Sequence, residues 1–208
     1  MVAVDVFRPQ SVGRAVRTAF VLGLLLVIAI VAGFGAYRQF DSFIGNNTKD
    51  ELSRYLDDHQ HSTAKPSGAG FKIDFPVPAE RESERVAIAS GTITAPRDAA
   101  LVDDEIQFQV VWFQLPGPAG SASALTSLES QQVRAFQGTR LALDPQGKLG
   151  AAITRDFVFK NVDSSGTTRY YDERILLSGS KVWIVRVVSR VRRDEAFRQF
   201  AASFAFTS

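Results

Sequence analysis

Cysteine is absent from this chain of 208 residues. That excludes disulfides, thiolate nucleophiles, Cys-ligated zinc, iron–sulfur clusters and an acylated lipoprotein cysteine. Histidine occurs only at His59 and His61, so no Ser–His pairing is available further along the chain, where the globular residues lie. There is no G-x-S-x-G elbow, no Walker loop and no G-x-G-x-x-G. An excess of one charge is missing too: 24 Lys and Arg face 22 Asp and Glu. A nucleic-acid footprint would need a clustered basic face. The expectation is a protein that is not an enzyme and holds no metal or cofactor.

What is present is a long uncharged run. Ala19 to Tyr37 reads AFVLGLLLVIAIVAGFGAY. About 20 apolar residues at ~1.5 Å each span a hydrocarbon core of ~30 Å. The run is longer than the h-region of a cleaved signal, and Gly33-Phe34-Gly35 makes a poor cleavage site. Arg8, Arg14 and Arg17 precede it, while Arg38 and Asp41 roughly cancel after it. The positive-inside rule therefore places residues 1–17 in the cytoplasm, a transmembrane helix at 18–38 and the remainder outside. Ala29, Gly33 and Ala36 share one face of that helix. Small residues at this spacing let a second helix pack closely.

Residues 39–70 read as a stalk and linker. Thr48 with Glu51 forms a capping box, and Leu52, Tyr55 and Leu56 give a narrow apolar stripe. HQHSTAKPSGAG then reads as a flexible linker. Asp57, Asp58, His59 and His61 match no standard metal-ligand spacing; solvated polar residues at a helix end are expected.

Residues 71–208 read as one domain. Phe71 to Pro76 is a short alternating strand stopped by proline, and Val86 to Ala95 continues β-branched around Gly91. Ile106 to Gln114 (IQFQVVWFQ) is the strongest strand of this half. Ser121 to Phe136 switches to helical spacing, with Ser121 or Ser123 as cap and Gly138 past the end. Ala152–Val162 and Thr167–Leu177 flank the turn Asp163-Ser164-Ser165-Gly166, and Lys181–Val191 follows. A last helix from Asp194 spaces Phe197, Phe200, Ala201 and Phe204 to pack on a sheet. The pattern predicts an α+β fold, one antiparallel sheet flanked by helices as an α/β/α sandwich.

F-x-I-x-F-P-x-P (Phe71, Ile73, Phe75, Pro76, Pro78), Arg169-Tyr170-Tyr171, Gly179, Val182-Trp183-Ile184-Val185 and Phe200-x-x-Ser203-Phe204 resemble the PsbP-like (Mog/PsbP) family across nearly all of 71–208. With the anchor and an Arg- and Ala-rich composition, the chain looks like an actinobacterial-type envelope protein. The resemblance implies an accessory or scaffolding role, as members typically bind larger assemblies. The family has no shared catalytic motif, so no functional residue is carried over.

The expected function is thus a single-pass accessory subunit of a larger cell-envelope complex in a bacterial inner membrane. A transporter of lipid or envelope substrate is favoured over a respiratory assembly. Its partners would be other membrane subunits, met through the transmembrane helix and the external domain. The alternative is an extracytoplasmic binding module for a lipid or small apolar ligand, with Trp112, Phe113, Phe157 and Phe159 walling a groove. Two further clusters are read as ordinary surface: Asp103-Asp104-Glu105 as a solvated turn, and Arg190, Arg192 and Arg193 as a basic strand end that could meet anionic headgroups or an acidic partner.

Overall fold

The computed structural model describes residues 61–117 and 121–207. The expected transmembrane helix, the stalk helix and the packing face of Ala29, Gly33 and Ala36 lie outside these residues. Among the described residues no helix is long and apolar enough to cross a membrane.

The elements are β1 (Ser62–Ala64), β2 (Phe71–Phe75), β3 (Glu80–Ile88), β4 (Gly91–Val102), β5 (Ile106–Gln114), α1 (Ala122–Ala135), β6 (Thr139–Leu143), β7 (Gly147–Leu149), β8 (Ala152–Val162), β9 (Thr168–Ser178), β10 (Lys181–Ser189), α2 (Asp194–Ser203) and β11 (Ala205–Phe206). Eight strands make one antiparallel sheet in the order β3-β4-β5-β10-β9-β8-β6, with β7 also on β8; β1, β2 and β11 make a second, three-stranded sheet.

This corrects the expected α+β sandwich of one sheet between helices. The domain is mostly β, with eleven strands in two antiparallel sheets and only two helices among the described residues. The strands that escape the sequence pattern are polar or short. In β3, ERESER carries charges on both faces because the edge is open to water, and cross-strand pairs hold it to β4: Arg81 with Asp98, Arg97 with Glu82 and with Glu84 at 3.1 Å. The expected strand Val86–Ala95 is instead a hairpin. Ile88 pairs with Gly91 across Ala89-Ser90, and Gly91 takes φ 135°, open only to glycine. Pro96 pairs with Ser83, one residue before β4 joins β5 at Arg97, so its missing N–H breaks no ladder bond there.

Two cores follow from alternation along the central strands. Trp183, Val185 and Val187 of β10 face the three-stranded sheet and α2, with Phe71, Ile73, Phe75, Phe108, Phe197 and Phe200. Val182, Ile184 and Val188 face α1, with Leu125, Leu128, Phe157, Phe159 and Ile175. Burial on both faces explains why β5 and β10 read as nearly continuous apolar runs.

Both helices form where their spacing predicts. Ser121 caps α1, its Oγ accepting from the Ala124 N–H at 3.3 Å. At the other end Gln137, not glycine, takes the left-handed turn at φ 51°. Gly138 is needed for a different reason: a Cβ there would stand 2.5 Å from Cδ2 of Phe159.

Candidate functional site

The largest cluster of ionisable groups lies under α1. Arg186 sits mid-way along apolar β10, on the face it shares with Val182, Ile184 and Val188, and is 1% exposed. Its Nε donates to Glu173 of β9. Its Nη1 donates to Glu84 of β3 at 3.1 Å and to Gln109 of β5 at 3.1 Å. Its Nη2 donates to Gln132 of α1 at 3.3 Å, and the Phe136 ring centroid lies 4.8 Å from Cζ. Burial disfavours the guanidinium charge, but Glu173 and Glu84 outweigh it and raise its pKa. Burial likewise pushes Glu173 up to about 6, against the pull of Arg186.

The network continues on both sides. Glu84 also accepts from Arg97, and Arg97 reaches Glu82. Buried Glu129 of α1 takes Arg140 of β6 and Arg155 of β8, the latter at 3.4 Å. Charges buried in this way are each matched to a partner, which fixes the seat of α1 on the sheet rather than leaving a reactive group.

The opposite face of β9 holds a carboxyl of different character. Asp172 is 1% exposed, and neither of its oxygens has a hydrogen-bond partner. Burial, then the neighbouring carboxyl of Asp194 at the start of α2, push it up to about 7, while Arg192 pulls the other way. Arg192 is itself tied to Asp194 at 2.6 Å.

The remaining sequence candidates are dispersed. Phe113, Phe157 and Phe159 pack on the α1 side, but Trp112 packs on the other, against Phe71 at 5.3 Å. The four therefore do not wall a common groove. Trp183 donates Nε1–H to the Ala69 carbonyl at 3.1 Å inside the inter-sheet core. Asp103, Asp104 and Glu105 form the exposed β4–β5 turn, the first two at φ 50° and 54°. Among the described residues no three acidic or histidine side chains gather as a metal site.

No family model matches the chain, and no curated protein does. Among solved structures, the solution structure of cyanobacterial PsbP (CyanoP) from Synechocystis sp. PCC 6803 superposes with a TM-score of 0.50 at 13% identity. The match covers 70% of this chain and 92% of that one.

The fold is PsbP-like.

At that identity the likeness speaks for architecture alone. Several of the residues that carry the sequence resemblance are core positions: Phe71, Ile73, Phe75, Ile184 and Val185 are each 0% exposed, whereas Pro78, Arg169 and Gly179 are exposed. The PsbP-like domain's ionic hub escaped the sequence reading, although one signal was available. Arg186 stands between Val185 and Val187 in a strand apolar on both faces, and a charge so placed must be paired. Which residues pair with it could not be read, because they come from four other elements.

Proposed function

We propose that the chain is a membrane-anchored accessory subunit of a larger cell-envelope complex, without catalytic activity of its own. It belongs to an actinobacterial-type inner membrane, with the PsbP-like domain on the outer side. The observation that carries this reading is the uncharged run Ala19–Tyr37 behind Arg8, Arg14 and Arg17, ahead of a domain whose largest buried cluster of charges is matched in ion pairs. Ala29, Gly33 and Ala36 supply a face for a neighbouring helix. A transporter of lipid or envelope substrate suits such a subunit better than a respiratory assembly, because the domain offers no cysteine or histidine for electron-transfer centres. Division of the aromatic side chains between two cores on opposite faces of the sheet supports a scaffolding domain over a ligand carrier.

Affinity isolation of the tagged chain from its own membranes in mild detergent, with mass spectrometry of what accompanies it, tests the proposal. A stoichiometric set of membrane proteins is expected. Recovery of the chain alone and monomeric would overturn it.

A further inference from the structure

One end of the large sheet carries an unusual surface. The registers Val102–Ile106, Ile106–Ser189, Ser189–Tyr170 and Tyr170–Lys160 line up the ends of β4, β5, β10, β9 and β8. Four inter-strand steps make this row about 19 Å long. Leu101, Val191 and Val162 stand along it, 54%, 51% and 57% exposed, and are the most exposed large aliphatics among the described residues. Exposed Arg169, Arg190 and Arg192 lie between and beside them. The far end of the sheet, at the β3–β4 and β9–β10 turns, has no exposed large apolar side chain among the described residues.

The chain enters the domain at this same end. Ser62 pairs with Phe75, whose ring packs on Phe200 at 5.1 Å, and Phe200 packs on Phe108 at 5.2 Å. Phe108 lies two residues from Ile106 in the row. The other terminus lies away from it, with Phe206 paired to Phe71 and packed on Trp183 at 5.0 Å.

We propose that this aliphatic and arginine-bearing end of the domain rests on an anionic lipid bilayer surface. The inference rests on the anchor reading above and adds an orientation to it. Scattered aliphatics separated by arginines suit a headgroup layer, which has no fixed register: each apolar tip dips inward while guanidinium groups meet phosphates. A protein partner would ask for a contiguous apolar centre, which this row lacks. The acidic turn Asp103-Asp104-Glu105 adjoins Leu101, Asp163 adjoins Val162 and faces Arg169, and Arg192 is tied to Asp194, so the contact is strongest at Val191 beside Arg190.

The absence of cysteine makes the test direct. Val191→Cys, Val162→Cys and, at the far end, Lys181→Cys each give the full chain a single site for an environment-sensitive fluorophore. In vesicles containing phosphatidylglycerol, the probes at 191 and 162 are expected to shift to the blue while that at 181 stays water-like. In phosphatidylcholine alone the shift should shrink. Replacing Arg169 or Arg190 with serine should weaken docking by about fivefold each. Water-like probes at 191 and 162 in phosphatidylglycerol vesicles overturn the proposal. So does shielding that occurs only in native membranes, which would assign the surface to an acidic protein. If the chain does not stay with the vesicles after an alkaline carbonate wash, the anchor reading itself fails and takes the proposal with it.

Discussion

Replacing Asp172 with asparagine should abolish most of a pH dependence that the wild-type domain shows in an uncommon direction. Asp172 is buried with both oxygens unpartnered, and its pKa rises from 3.8 to about 7. The groups facing it are Asp194 from α2 and Arg192 and Arg193 from the preceding loop; its β10 partner, Val187, carries no charge. Because its folded pKa is raised, the native state holds a proton that the unfolded chain has released between about pH 4 and 7. Stability therefore falls as pH rises through that window and levels off above it. At 1.36 kcal/mol per unit the loss is of the order of 4 kcal/mol, a large part of the ~5–15 kcal/mol of an ordinary domain. Glu173, raised to about 6, acts in the same direction. Asp163, lowered by its bonds to Ser165 and Thr167, acts oppositely and only near the acid limit. Asp172→Asn keeps the shape and removes the charge, so the difference between the two proteins isolates this one group. Urea unfolding at a series of pH values, followed by fluorescence of Trp112 and Trp183, measures it; these are the chain's two tryptophans, and both belong to the inter-sheet core. The variant should match the wild type near pH 4 and exceed it by several kcal/mol at pH 8. Parallel curves across that range would refute the reasoning, since they would mean that Asp172 is ionised in the native state at little cost.

Two further substitutions address packing. Arg186→Met strands Glu173 without its cation, while Glu84 keeps Arg97, and should cost about 3–5 kcal/mol; adding Glu173→Leu should recover part of that loss in the same urea assay. Gly138→Ala drives a methyl against Phe159 and should cost about 1–3 kcal/mol, partly restored by Phe159→Leu, with the melting temperature as readout.

The readable parts of the fold were those whose cause is local. The β8–β9 hairpin follows from the turn at Asp163, whose carboxylate accepts from the Ser165 and Thr167 N–H groups at 2.9 and 3.0 Å. Both helices follow from apolar spacing, α1 with the capping Ser121 and α2 without a side-chain cap. The missed parts depend on pairing. β3 looks like a charged loop until Arg97 and Asp98 are placed opposite it, and β1, β6, β7 and β11 are too short to carry a period. The same holds for the ionic hub and for Asp172. Arg186 signals itself as a charge amid apolar neighbours, whereas Asp172 stands beside Glu173 and Arg174 and gives no such signal; for both, burial and partners are set by strand order. The aromatic residues show the converse: nearness in sequence, as for Trp112 and Phe113, put them on opposite faces of the sheet.

The position of β10 has a consequence for how the domain is made. It is the last long strand in the chain, yet it lies between β5 and β9. Until Lys181–Ser189 arrives, the meander β3-β4-β5 and the hairpin β8-β9 are two separate ribbons, each ending in an unpaired apolar edge. Glu84 and Arg186, 102 residues apart, cannot meet before that strand closes the gap. Closure is thus a single late event that zips two halves together and neutralises the buried charges at once. A nascent chain halted before β10 exposes two sticky edges, so premature termination should lead to aggregation rather than to a partly working domain.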